Sequence, residues 1–102
     1  PVLTTAIIAG TQAVKKTHDL IPFCHPLSIN SCDISIDFND ESNLVVTCTV
    51  GIDAKTGVEM EALTGVSVAS LTIYDMCKSI SHEIVISDIQ LLEKTGGKSD
   101  IS

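Results

Sequence analysis

Apolar residues at Leu3, Ala6, Ile7, Gly10, Ala13 and Val14 recur at helical spacing, so residues 1–16 are expected to form an amphipathic helix. Pro1 suits a first helical position, where its missing N–H costs nothing. Residues 17–26 lose the period and are expected to form a loop or irregular turn. Within them Pro22 and Pro26 frame Phe23-Cys24-His25, and prolines hold such a segment extended and stiff. The period then shortens to two. Ile34, Ile36 and Phe38 share one face, with Asp33, Ser35 and Asp37 on the other. After the polar, turn-rich residues 39–43, Val46, Cys48, Val50 and Ile52 alternate again. These two runs are expected to be antiparallel neighbours joined by a hairpin.

Residues 53–57 lead to a second long helix, expected over residues 58–81. Ile84, Ile86, Ile89 and Leu91 suggest a last strand with a bulge or break at Ser87-Asp88. Residues 94–99 are glycine-rich and expected to be flexible. The resulting order is α-β-β-α-β. A strand in front would complete the ferredoxin-like order β-α-β-β-α-β. The expected fold is therefore a single α+β domain over residues 1–102, a ferredoxin-like sandwich with an antiparallel sheet and both helices on one face. Because the chain starts already inside its first helix, its N-terminal segment, with the first strand, is expected to be missing from this chain.

Composition changes this picture in two respects. Of the 102 residues, 44% are apolar, and the mean hydropathy is +0.36. A chain this short buries roughly two-thirds of its surface at best, so part of the apolar excess is expected to meet other copies of the chain. The net charge is −7, and all six basic residues are lysines. Binding of nucleic acid across a broad face needs a basic field and is not expected. An anionic ligand would have to meet lysines gathered locally, and Lys55, Lys78, Lys94 and Lys98 stand in the segments that look functional.

Cys24, Cys32, Cys48 and Cys77 contain no C-x-x-C pair, so neither a zinc knuckle nor a redox motif is signalled. Cys32 and Cys48 sit in strand-like alternation, where cysteine behaves as a small hydrophobe. Reduced thiols and a cytoplasmic location are expected. No apolar run reaches membrane-spanning length, and no membrane partner is expected.

Chemistry concentrates on the second long helix. Thr56-x-x-Glu59 fits a capping box, and Glu61 could simply favour a helix N-terminus. Asp75 and Lys78 stand at i, i+3. A helical ion pair worth about 0.2–0.5 kcal/mol accounts for that spacing, and so does an acid and base that tune each other. His25, held between prolines, suits proton transfer as well as plain exposure. Cys24 beside it suggests a Cys-His nucleophile only weakly, because adjacent side chains in an extended segment point apart. Gly96-Gly97-Lys98-Ser99 resembles the end of a P-loop, but Leu92 occupies the position of the required first glycine.

Glu59 and Asp75 are sixteen positions apart, about 24 Å along one helix at ~1.5 Å per residue. One small-molecule pocket cannot use both from the same chain. Either they serve different purposes, or a pocket combines Glu59 of one subunit with Asp75 and Lys78 of another.

Four segments, in order, now carry a resemblance: Leu20-Ile21-Pro22-Phe23-Cys24-His25-Pro26-Leu27, Lys55-Thr56-Gly57-Val58-Glu59-Met60-Glu61-Ala62-Leu63-Thr64, Leu71-Thr72-Ile73-Tyr74-Asp75-Met76-Cys77-Lys78, and Lys94-Thr95-Gly96-Gly97-Lys98. Together they resemble the molybdenum-cofactor biosynthesis protein C family over nearly the whole chain. The resemblance implies a ferredoxin-like subunit in a hexamer, a trimer of dimers with active sites at subunit interfaces. It implies cyclic pyranopterin monophosphate synthase activity, a phosphorus-oxygen lyase that converts 3′,8-cyclo-7,8-dihydro-GTP to cyclic pyranopterin monophosphate and releases pyrophosphate. It implies Asp75 and Lys78 as the catalytic acid-base pair. Phe23, Cys24 and His25, and across the interface Met60 and Glu61, would line the substrate site, with Glu59 and Lys94 in the same pocket. No cofactor and no metal site is expected.

The chain departs from the family in three places. A further N-terminal segment with a His-His-Lys-Gly-Asp stretch, which supplies another functional lysine in the family, is expected to be missing from this chain. Ile7 stands where arginine is typical, and Lys98-Ser99-Asp100-Ile101 where Gly-Asp-Phe is usual. The alternative reading is a non-catalytic ferredoxin-like domain that binds a small anion. It would bind nucleotide without releasing pyrophosphate.

Overall fold

The computed structural model describes residues 1–53 and 57–92. Its elements run α1 (Val2–Lys15), α2 (Thr17–Leu20), β1 (Ser31–Phe38), β2 (Leu44–Gly51) and α3 (Glu59–Cys77). The sheet has two antiparallel strands, with Cys32 opposite Val50, Ile34 opposite Cys48 and Ile36 opposite Val46. Register partners share a face. A Cβ built on Gly10 of α1 would lie 2.6 Å from the Ile34 side chain, and one on Gly65 of α3 would lie 2.9 Å from Cys48 Sγ. Both long helices therefore cover the same face, the one carrying Ile34 and Cys48. The architecture is α+β, compatible with a ferredoxin-like sandwich without its first strand.

The core is a seam of small residues between α1 and α3. Ala6, Gly10, Ala13 and Val14 are the buried face of α1, and Glu61, Gly65 and Ala69, spaced four apart, are that of α3. The helices meet so closely that a Cβ on Gly10 would stand 2.9 Å from the Gly65 carbonyl oxygen. That close approach, rather than backbone flexibility, is what glycine supplies at both positions. Leu3, placed on the inner face by its spacing, is exposed instead.

Pro1 is the N-cap of α1 rather than its first helical residue. Its carbonyl accepts from the Thr5 amide at 2.9 Å and from the Thr5 hydroxyl at 2.7 Å. The loop expected over residues 17–26 begins with the single helical turn of α2. Thr17, 1% exposed, explains it: its hydroxyl donates to the carbonyls of Ala13 and Val14 at 3.0 and 2.9 Å. Such back-bonding lets a buried hydroxyl stay satisfied while the chain changes direction.

The hairpin forms where the alternation predicts it. Asn39 Oδ1 accepts from the amides of Glu41 and Asn43, an Asx-type closure, and Ser42 takes a positive φ of 62°. The helix expected over residues 58–81 is shorter, ending at Cys77. The chain continues in turns, with the Ile80 amide donating to the Cys77 carbonyl at 2.9 Å.

The last expected strand does not form among the described residues. Residues 83–92 line a groove of about 1190 Å³ whose other walls include Val46, Cys48 and Val50 of β2 and Val66 and Ile73 of α3. A strand exists by its ladder of backbone hydrogen bonds, and the groove holds this segment apart from β2, the strand on its other wall. The predicted break is real: Asp88 has φ 55°, a left-handed conformation that aspartate tolerates better than most residues.

Candidate active site at the two ends of one helix

Helix α3 divides the candidate residues into two groups. Val58 is its N-cap, without a side-chain hydrogen bond, and Glu59 is the first helical residue rather than the third. The capping box that Thr56 and Glu59 would form thus loses its register. Thr56 itself, like Lys55, Lys94 and Lys98, lies outside the described residues. Glu59 and Glu61 both stand in the first turn, where the partial positive charge of the helix end favours carboxylates. Met60 between them is partly exposed.

Glu61 is the unusual member of this group. It is 4% exposed, because it continues the inward stripe of Gly65 and Ala69. Cys24 reaches it from the segment after α2, its thiol donating to Glu61 Oε2 at 3.4 Å. Burial pushes the Cys24 thiol above its ordinary value, the bond to Glu61 pushes it further, and the charges of Glu61 and Glu59 add to the effect. Cys24 is therefore a neutral donor near neutral pH. Nucleophilic attack needs the thiolate, so the Cys-His nucleophile has no support here. Phe23 is 98% exposed and His25 is also exposed. Both project from a segment whose residues 24–29 form neither helix nor strand.

The second group lies at the other end. Lys78, the C-cap of α3 in helical geometry, donates from Nζ to Asp75 Oδ1 at 2.8 Å. Both side chains are exposed, at 60% and 72%. The hydrogen bond to Asp75, and then its charge, hold the Lys78 ammonium above its ordinary pKa. In this state Lys78 is a firm cation. It suits a general acid or the neutralisation of a phosphate, and a substrate or neighbouring subunit would have to lower its pKa before it acted as a base. Tyr74, to which the motif alone assigned no role, adds a smaller charge effect in the same direction. Its signal in the sequence was its place one residue before Asp75.

The structure thus brings Cys24 to Glu61 and Asp75 to Lys78, and keeps the two pairs apart. Glu61 and Lys78 are seventeen positions apart, about 25 Å along the helix. Among the described residues no three His, Cys, Asp or Glu side chains are grouped to hold a metal ion. All four cysteines are free thiols. No helix among the described residues is long and apolar enough to cross a membrane.

Comparison with known proteins bears on how this arrangement is used. The cyclic pyranopterin monophosphate synthase of Xanthomonas axonopodis pv. citri is 59% identical over 100 residues, covering 98% of this chain and 61% of that protein. The synthase of Brevibacillus brevis is 55% identical over 98 residues, covering 96% of the chain and 61% of that protein. A molybdenum cofactor biosynthesis bifunctional protein of Synechocystis is 63% identical over 106 residues, with 100% of this chain and 30% of that protein covered. The chain thus spans about three-fifths of the length of the synthases it matches. The MoaC family profile matches residues 1–97, a span that includes every candidate site residue from Phe23 to Lys94. On that match and these identities, the chain belongs to the MoaC family.

Proposed function

We propose that this protein is a cyclic pyranopterin monophosphate synthase. It converts 3′,8-cyclo-7,8-dihydro-GTP to cyclic pyranopterin monophosphate, releasing pyrophosphate, in molybdenum cofactor biosynthesis. The observation that carries this reading is the Asp75–Lys78 pair, closed at 2.8 Å, in a chain whose relatives bear that enzyme's name. The reaction opens and recloses a purine-derived ring, so protons move repeatedly, and positioned acid-base groups serve that need. A sugar hydroxyl must also displace pyrophosphate at the α-phosphate, and an ammonium offsets the charge that develops there. Lys78, held as a cation by Asp75, supplies that charge and a proton. Phe23, Cys24, His25, Glu59, Met60, Glu61 and Lys94 line the substrate site.

One α3 is too long for its own two ends to meet over one substrate. The site in this reading joins the Glu61 end of one subunit to the Lys78 end of another. The assembly is a homo-oligomer, a hexamer built as a trimer of dimers, working in the cytoplasm. Exposed apolar side chains such as Phe23, Leu71 and Ile80 are suited to cover by a neighbouring copy.

The test is incubation of the full-length protein with the cyclised dihydro-GTP. Pyrophosphate and the cyclic product should form, and Lys78→Ala should lower turnover by about a hundredfold or more without changing the oligomer. Nucleotide binding without pyrophosphate release would contradict the reading and favour an anion-binding domain. So would a Lys78→Ala variant altered only in affinity.

A further inference from the structure

Two side chains outside the candidate site are brought together by the register of the hairpin. Cys32 on β1 stands opposite Val50, and Cys48 on β2 stands opposite Ile34. Residues two apart on a strand share a face, so both cysteines lie on the side that the helices cover, as diagonal neighbours. Both are free thiols and half-buried. They face each other, since Cys32 acts on the Cys48 thiol through its charge and a hydrogen bond. Behind Cys48 stands Gly65 of α3, where a Cβ would come within 2.9 Å of the sulfur. The glycine leaves that sulfur room.

Spacing decides what can join the pair. Diagonal neighbours on a sheet stand about 7–8 Å apart, with their Cβ atoms somewhat closer. A disulfide needs Cβ atoms about 3.5–4.5 Å apart. Closing one here would pull on the ladder that runs from Ser31 and Gly51 to Phe38 and Leu44. A metal ion spans more. Two metal–thiolate bonds of about 2.3 Å, set in line, hold their sulfurs about 4.6 Å apart. Zinc takes four ligands, and among the described residues no third His, Cys, Asp or Glu joins the pair. Soft thiolates select cuprous copper, which is satisfied by two sulfurs. The net charge of −7 favours the approach of a cation.

We propose that Cys32 and Cys48 form a two-coordinate site for cuprous copper, which clips β1 to β2 across the diagonal. Each sulfur gives its proton to solvent as it takes the ion. The site does not depend on the synthase reading, because neither cysteine is among the residues assigned to that reaction. An ion held more tightly by the folded hairpin than by the unfolded chain raises the melting temperature.

The experiment uses the full-length protein without oxygen. Copper is supplied as the cuprous bicinchoninate complex, whose colour reports the ion it retains. The protein should withdraw one equivalent of copper per chain. Cys32→Ser and Cys48→Val should each lose that withdrawal, and the double variant Cys24→Ala, Cys77→Ala should keep it. X-ray absorption at the copper edge should show two sulfur neighbours. The melting temperature should rise with copper in the parent and stay unchanged in Cys48→Val. Uptake that survives Cys32→Ser, or that disappears with Cys24 and Cys77, would overturn the proposal by showing copper on any available thiol. Ready oxidation of the pair by oxidised glutathione would also overturn it. In that reaction the two thiols pass two electrons and two protons to the glutathione disulfide, and their sulfurs would have to meet directly. If Cys48→Val does not fold, Cys32→Ser decides the matter alone.

Discussion

Three groups in this chain show how neighbours set protonation at single residues. Lys78 is held charged by Asp75, although both are open to solvent, where ion pairs add little to stability; the pair's value lies in fixing a cation at a place. Cys24 keeps its proton because burial, and then the Glu61 carboxylate beside it, push its thiol up. Cys48 does so with a different neighbour. Burial against the helices, and then the nearby Cys32, push its thiol from 9.0 up to about 12. The sign of the consequence follows from proton linkage. Between about pH 9 and about pH 12 the unfolded chain releases this proton and the folded chain retains it, so stability falls as pH rises. Melting temperature measured across that window should therefore drop, and Cys48→Val should flatten the drop. An unchanged slope in the variant would mean that other groups carry the alkaline sensitivity.

At the scale of elements, the decisive feature is the seam between α1 and α3. Adding a methyl group at Gly10 would place it 2.6 Å from Ile34 Cδ1 and 2.9 Å from the Gly65 carbonyl oxygen. The first contact is the end of a flexible side chain, but the second is backbone, and only a shift of one helix relieves it. Gly10→Ala should destabilise the fold by about 1–3 kcal/mol, the range for overpacking, despite alanine's better helix propensity. Chemical denaturation measures this directly, and a neutral or stabilising change would show that the helices can separate at no cost. The strands and long helices were legible in the sequence because Ile34, Val46 and Ala13 follow simple periods. The α2 turn was not, because it depends on one hydroxyl, that of Thr17, finding the carbonyls of Ala13 and Val14. The last strand failed for a non-local reason. Ile84, Ile86, Ile89 and Leu91 alternate well enough, but strand formation needs a partner that the pattern of residues 83–92 does not contain. In the site, the contact between Asp75 and Lys78 was legible from their i, i+3 spacing, but the spacing fits a plain ion pair equally well, and the catalytic role came only from the resemblance. The tie between Cys24 and Glu61, thirty-seven positions apart, was not legible, because it exists only once α1 and α3 have packed.

For the whole molecule, the length of α3 governs what one copy can do. Its two ends stand about 25 Å apart, with Glu61 buried at one and Lys78 exposed at the other. A pocket that needs both must therefore draw on two chains. The measurement that tests this most directly is complementation between two variants, Glu61→Ala and Lys78→Ala, each inactive alone. When they are dissociated, mixed and reassembled, half of the dimers are hybrids, and each hybrid has one site with both residues intact. Turnover should then return to about a quarter of the parent level in a closed two-fold dimer. If Glu61 and Lys78 acted within one chain, every site in every mixture would lack one of them. A reassembled mixture no more active than the separate variants would contradict the account.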